Sequence, residues 1–293
     1  WDSWDIDNDH ALKLAVENRL VSRKVAANGP LQLRIRSVYK VGAGSTLTQD
    51  MVFHSTSERI DFETAIDWNE THKLLKAGFD INVLADSARH EIQYGYLERP
   101  THRNLPQDRA KFEVAAHKWS DISEEGFGVA LLNDCKYGIG VHGGTLRLSL
   151  MKSGTHPDPR GDRGRRLVTY SLLPHACRFS VESVVRPAYE LNIPVTVSRA
   201  GPGTKAPGSL LTVDEPNVII ESIKWAEKGN GFVVRLYDAQ KTGGGATVRF
   251  GVPLRSVSET NLLEERPRRL VLGNNRVVLP LRAFEIKTLL CRP

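Results

Sequence analysis

Cysteine is scarce: three in 293 residues, at Cys135, Cys177 and Cys291. They lie far apart with no C-x-x-C pair, so neither a disulfide framework nor a cysteine-based metal site is expected. An odd number of thiols in a chain this long suits a reducing, cytoplasmic compartment. Cys135 and Cys177 adjoin apolar, strand-like runs, which predicts buried thiols. No uninterrupted apolar run approaches the ~18 residues that suggest a membrane-spanning helix. The start lacks a basic segment followed by an apolar one, so no secretory signal is read there. It also lacks a Met, opening Trp1-Asp2-Ser3-Trp4 as a processed chain or a piece of a longer protein would. H-E-x-x-H, G-x-S-x-G, the P-loop and the dinucleotide glycine fingerprint are all absent. The nine histidines are dispersed. The oxygen-rich Asp7-Asn8-Asp9-His10 lacks the glycine and terminal Glu of a calcium loop. No metal ligand set is therefore read in this chain.

Basic residues exceed acidic ones only modestly, 40 against 34, for a net charge of +6. They are scattered, with small clusters at Arg160 to Arg166 and Glu264 to Arg269. A nucleic-acid binder concentrates such residues in a stripe interleaved with aromatics. No stripe is present, so the charges read as a solvated surface. With 40% apolar and 25% charged residues, the chain has the composition of an ordinary globular protein, and its length suggests about two domains.

What is present is strand patterning. Leu31-Gln32-Leu33-Arg34-Ile35-Arg36 and Thr145-Leu146-Arg147-Leu148-Ser149-Leu150 alternate with period two, as half-buried strands do. Thr247-Val248-Arg249-Phe250 repeats this more weakly. Val218-Ile219-Ile220, Phe232 to Tyr237 and Arg276 to Leu279 are short, apolar and rich in β-branched residues. Glycine-rich turns separate them at Gly143-Gly144, Lys228 to Gly231, Gly243 to Gly245 and Gly273-Asn274-Asn275. The last predicts a hairpin between Leu270-Val271-Leu272 and Arg276-Val277-Val278-Leu279. One helix is suggested over Asp9 to Val21, where Ala11, Leu12, Leu14, Ala15 and Leu20 partly fit a 3.6 period.

Many short strands without regular strand–helix alternation indicate an all-β protein built of sandwiches. Residues 198–208 hold three glycines and no large apolar residue, as a linker or long loop would. This divides the chain into a large β-sandwich over 1–200 and a smaller, immunoglobulin-like sandwich over 208–293.

The densest polar constellation is Thr155-His156-Pro157-Asp158-Pro159-Arg160-Gly161-Asp162-Arg163-Gly164-Arg165-Arg166. Its prolines stiffen the backbone and its glycines permit positive φ. A rigid loop with carboxylates and exposed backbone groups at a sandwich end can hydrogen-bond sugar hydroxyls. It can equally be a solvated connection tied by local ion pairs. A second cluster, Glu98-Arg99-Pro100-Thr101-His102-Arg103-Asn104, reads as a sugar-facing loop or an ordinary turn.

The stretch Phe112 to Asp121, followed by Gly126 to Gly138, resembles the C-terminal half of family 38 glycoside hydrolases, α-mannosidases of the cytosolic and bacterial type. Further similar segments run in order along the chain. They include Trp1 to Asp7, Asp67 to Lys76, Glu98 to His102, Leu146 to Leu150, Pro157 to Pro159, Tyr189 to Asn192, Val213 to Val218 and Phe284 to Leu289. The chain departs from the family pattern at Leu105-Pro106-Gln107-Asp108, usually Thr-Ser-Trp-Asp, and at Arg165-Arg166, where a His is usual.

The resemblance implies a large sandwich of the galactose mutarotase-like supersandwich type, then the smaller one. It implies the C-terminal β region of a retaining, zinc-dependent α-mannosidase acting on terminal α-linked mannose of glycans. The zinc ligands, nucleophile and acid–base carboxylate would belong to an N-terminal domain outside this chain, so no catalytic residue and no cofactor are expected here. The residues expected to face substrate are Asp158, Asp162, Arg163, Gly164 and His102, as a border of the catalytic pocket. Partners would be the mannose-containing glycan and the N-terminal domain, with no nucleic acid or membrane, and a homo-oligomer is left open. The other class of reading is a non-catalytic carbohydrate-binding or structural sandwich.

Overall fold

The period-two segments fold as strands because alternation lets each bury one face. Thr145–Lys152 is typical: Leu146, Leu148 and Leu150 are buried, while Arg147 and Ser149 point the other way. The computed structural model describes residues 5–7, 9–14, 18–176, 178–201, 203 and 208–293. Cys177, the opening Trp1-Asp2-Ser3-Trp4, Asn8, residues 15–17 of the expected helix, and 202 and 204–207 of the expected linker lie outside them. The chain divides into two compact units.

The first unit comprises Trp1–Ile92, Leu97–Phe179 and Arg186–Pro194. Its early strands are β1 (Asn18–Asn28), β2 (Gln32–Val41), β3 (Ser45–His54), β4 (Ile60–Trp68), β5 (Leu74–Asp80), β6 (Ser87–Ile92) and β7 (Gly95–Pro100). After a short helix, α1 (Pro106–Ala110), come β8 (Val114–Ala115), β9 (Trp119–Ser123), β10 (Phe127–Asn133), β11 (Gly138–His142), β12 (Thr145–Lys152) and β13 (Gly164–Ala176). A nine-stranded sheet runs β1-β2-β3-β4-β13-β10-β9-β6-β7, and a four-stranded sheet runs β5-β12-β11-β8. Between them lies one apolar core. Ile66, Trp68, Ile122, Leu131 and Tyr170 come from the large sheet, and Ile139, Leu146, Leu148 and Met151 from the small one. Each fully buried aliphatic side chain there contributes about 1.5–3 kcal/mol.

Two buried polar clusters in this unit are held by side-chain contacts. Asp121, fully buried, accepts from His175 Nε2 at 2.9 Å and from Ser123 Oγ at 3.0 Å, with Arg89 Nη1 at 3.6 Å. His90 contacts Ser120 Oγ at 2.9 Å, and burial, with Arg99 nearby, lowers its pKa to about 4. An unfolded His titrates near 6.5. Between pH ~6.5 and ~4 the unfolded chain therefore binds a proton that the folded chain refuses, and stability falls as pH falls. The slope from this one group reaches about 1.4 kcal/mol per pH unit. Denaturant titrations from pH 7 to 4 should show His90→Asn with a shallower loss than wild type. Equal slopes would assign the acid sensitivity to other groups.

The second unit comprises Gln93–Tyr96, Ser180–Val185 and Val195–Pro293. Its strands are β14 (Leu211–Val213), β15 (Val218–Trp225), β16 (Phe232–Asp238), β17 (Gly244–Phe250), β18 (Ser256–Thr260), β19 (Arg268–Arg269), β20 (Arg276–Leu281) and β21 (Ile286–Arg292). A three-stranded sheet, β14-β17-β20, faces a five-stranded one, β15-β16-β21-β18-β19. Val248, Val277 and Leu279 meet Val234, Leu236, Leu289 and Cys291 in its core. The all-β, two-sandwich class expected from the sequence is the one found.

Three local expectations are corrected. Among the described residues of Asp9 to Val21, a 3-10 turn over His10–Lys13 stands in place of the expected helix, and β1 already starts at Asn18. Leu12, Leu14 and Leu20 remain exposed, so no core rewards a helical face. Cys135 is exposed, because β10 ends two residues earlier and the chain turns there. The Gly273-Asn274-Asn275 turn forms, with Gly273 and Arg276 exchanging 3.1 Å hydrogen bonds and both asparagines at positive φ. Leu270 to Leu272, however, forms no ladder with β20: the isolated bridge is Gly273 to Arg276, the Leu270 amide donates to Val257 O at 2.9 Å, and β20 pairs with β17 instead. A helical turn also forms at Val181–Val185, followed by α2 (Arg186–Asn192).

Candidate functional site

The constellation from Thr155 to Arg166 forms the connection between β12 and the start of β13, all within the first unit. Pro157, after a cis bond from His156, and Pro159 restrict its first half. Asp158 Oδ1 accepts from the Arg160 amide at 2.9 Å, and the Gly161 amide returns to Asp158 O at 3.1 Å. A second turn closes from Arg163 N to Arg160 O at 3.1 Å. Gly161 is obligatory on two counts. Its φ is +49°, and a Cβ there would sit 2.3 Å from Gly154 O. Gly164, at φ +103°, starts β13 opposite Trp68.

The loop is clamped at its base. Asp162 Oδ2 accepts from the Lys152 amide at 2.7 Å, closing the loop onto the strand it left. The Lys152 ammonium donates to Asp5 O. His72 donates its amide to Ser153 O at 2.7 Å, Ser153 returns an amide to Lys73 O at 3.0 Å, and Thr155 Oγ1 lies 3.3 Å from His72 Nε2. The segment after β4 is fixed in turn by Glu70, whose Oε1 accepts from Gly44 N and Ser45 Oγ, both at 2.9 Å. The Gly44 amide first, then Ser45, holds the Glu70 carboxyl below its ordinary range. Gly42 makes room for it: a Cβ there would come within 2.5 Å of Glu70 Cδ.

Four of the five expected site residues, Asp158, Asp162, Arg163 and Gly164, thus share one braced loop. Asp158 and Asp162 each spend an oxygen on a backbone amide, so they are poor candidates for an acid–nucleophile pair. Arg163 is exposed and its guanidinium has no hydrogen-bond or ion-pair partner among the described residues. Such a loop can present donors to hydroxyls and hold them in place. Its positioning residues Glu70, His72 and Ser153 were not singled out from the sequence. Glu70 and His72 did fall in the resembling segment Asp67 to Lys76, but nothing local gives them a role.

The fifth residue stands apart. His102 is exposed, with Nδ1 3.5 Å from Asp108 Oδ2, and no hydrogen bond or ion pair joins it to the 155–166 loop. Leu105-Pro106-Gln107-Asp108 makes the first turn of α1, with Pro106 at its start and Asp108 Oδ2 accepting from Leu105 N at 3.1 Å. Proline there loses no helical hydrogen bond. Among the described residues no group of three or more His, Cys, Asp or Glu side chains is gathered to hold a metal ion. No helix there is long and apolar enough to cross a membrane.

Comparison with known proteins agrees along the chain. Residues 1–160 match the glycosyl hydrolases family 38 C-terminal domain, and residues 217–289 match the glycosyl hydrolases family 38 C-terminal beta sandwich domain. Alpha-mannosidase G of Dictyostelium discoideum is 38% identical over 98% of this chain, and human alpha-mannosidase 2C1 is 37% identical over 99%. The chain spans only 27% and 29% of those two relatives' lengths. A crystal structure of an alpha-mannosidase from Enterococcus faecalis V583 superposes with a TM-score of 0.77 at 18% identity, over 95% of this chain and 35% of that one. That likeness establishes the fold. With the family match covering more than half of its residues, the chain belongs to glycosyl hydrolase family 38, as its C-terminal β region.

Proposed function

We propose that this chain is the C-terminal β region of a retaining, zinc-dependent α-mannosidase that removes terminal α-linked mannose from glycans. The observation that carries this reading is the match to α-mannosidases along almost the whole chain. The geometry is compatible with it. A retaining glycosidase needs two carboxyl groups about 5–5.5 Å apart across the scissile bond. The two loop carboxylates of this chain are instead committed to backbone amides. The nucleophile, acid–base group and zinc are assigned to a domain preceding this chain. The described residues gather no group of side chains that would hold zinc. Their part is to border the pocket, with the 158–164 loop orienting the sugar.

Orientation of a bound sugar acts on the rate through transition-state contacts rather than bond-making. The reading is tested by assaying hydrolysis of an aryl α-mannoside by the 293-residue chain and by the longest natural protein that carries it. The chain alone is expected to show no turnover. The longer protein is expected to release mannose with retained anomeric configuration, followed by NMR. Turnover by the chain alone would remove the division of labour. A longer protein inactive on α-mannosides would favour the carbohydrate-binding or structural reading.

A further inference from the structure

A cleft of about 260 Å³ opens on the outer face of the four-stranded sheet and shares no residue with the 155–166 loop. Its floor is Gly140 of β11, where a Cβ would come within 2.8 Å of Phe112 O. Strand alternation sends Leu146 and Leu148 into the core and Arg147 into this cleft. Phe112 forms one wall, with its ring centroid 5.4 Å from that of His10. Arg103, Lys76, His142 and Thr145 complete the polar lining, and no carboxylate lines the cleft among the described residues.

The charges here are unevenly spent. Lys76 is paired with Glu113, whose other oxygen accepts from Ser149 Oγ at 2.7 Å. Asp80, on exposed backbone beside the cleft, accepts from Thr145 Oγ1 at 2.7 Å. Arg103 and Arg147 remain. Both are half-buried, and neither guanidinium has a hydrogen-bond or ion-pair partner among the described residues. A guanidinium is a rigid fork of N–H donors whose geometry matches a carboxylate or phosphate. Two unspent forks, an aromatic wall and a glycine floor make a concavity short of one negative charge.

We propose that this cleft is a binding site for a small oxyanion, a phosphate or carboxylate held between Arg103 and Arg147 with its carrier against Phe112. The test is isothermal calorimetry on the longest natural protein carrying the chain, with inorganic phosphate and acetate as separate probes and chloride at matched ionic strength. Saturable binding of either probe is expected, and the stronger of the two identifies the oxyanion. Arg147→Gln and Arg103→Gln should each weaken it about tenfold or more, as loss of a charge-assisted hydrogen bond does. Arg147→Lys, which keeps the charge but not the fork, should fall between. Arg19→Gln, on the exposed strand β1, should leave binding unchanged, and circular dichroism should show every variant folded. No saturable binding of either probe, whether because another segment closes the cleft or because the arginines are merely solvated, would overturn the assignment. So would binding that Arg147→Gln and Arg103→Gln leave intact. Mannosidase activity is not the readout, so failure here and failure of the glycosidase reading are distinguishable.

Discussion

Asp121→Ala should destabilise the first unit by about 3–5 kcal/mol, the cost of stripping a buried charge of its partner. Asp121 is fully buried. One oxygen accepts from His175 Nε2, itself 95% buried, and the other from Ser123 Oγ, with Arg89 nearby. Arg89 also lies over the Phe179 ring, which stacks on buried Trp119. Removing the carboxylate leaves the buried His175 Nε2 without this acceptor, and leaves Arg89 only Ser123 Oγ at 3.2 Å and Glu98 at 3.3 Å. The backbone is built around this arrangement, since a Cβ at Gly128 would come within 2.3 Å of the His175 ring. For a unit of this size the loss corresponds to a fall of roughly 6–20 °C in Tm, at 2–4 °C per kcal/mol. Asp121→Asn, which keeps the shape and one acceptor, should cost clearly less. A thermal melt of Asp121→Ala within 2 °C of wild type would show that the network is not a structural requirement.

The second large effect concerns activity. If the 158–164 loop orients the sugar as proposed, Asp162→Ala in the longer protein should lower kcat/KM on an α-mannoside by about 10- to 100-fold, the usual loss when a group that positions substrate is misplaced. Asp162 acts through its 2.7 Å bond to the Lys152 amide, which closes the loop that carries Arg163 and Gly164. Leaving a partly buried amide unpaired also costs about 1–3 kcal/mol. Asp162→Asn keeps an acceptor oxygen and should recover most of both losses. Arg163→Gln removes the exposed donor without disturbing the clamp, so it should lower kcat/KM while leaving the melting temperature in place. Unchanged kinetics in Asp162→Ala would reduce the loop to a connection between two strands. A loss of stability with no kinetic change in the folded fraction would make Asp162 purely structural.

How much of this was legible beforehand follows from the range of the forces involved. Alternation along Thr145 to Leu150 and Leu31 to Arg36 depends only on which neighbours face the same side. The all-β class and the core positions Leu146, Leu148 and Val234 could therefore be read from the chain alone. Turn chemistry is equally local, and Asn274-Asn275 adopted the left-handed backbone that asparagine tolerates. The helix expected after Asp9 failed because propensity is weak until a core rewards one face, and Leu12 and Leu14 meet no core. The partner of β20 is β17 rather than its sequence neighbour, a choice made by sandwich closure.

The same division runs through the candidate site. Pro157, Pro159, Gly161 and Gly164 announced a stiff loop with positive-φ positions, since both properties belong to single residues. The chain by itself also determined that Arg147 would face away from the core. Only tertiary structure decided what holds the loop and what surrounds that arginine. Ser153 is 81 residues from His72, and Arg103 is 44 residues from Arg147, so no local pattern encodes their meeting. The first pair is set by sheet order, with β5 beside β12 and β4 beside β13; the second by Thr101 O, which accepts from the Gly143 amide of the β11–β12 turn at 2.8 Å. Hydrogen bonds and charges act over a few ångströms, and only the folded sheets bring such distant residues within that reach.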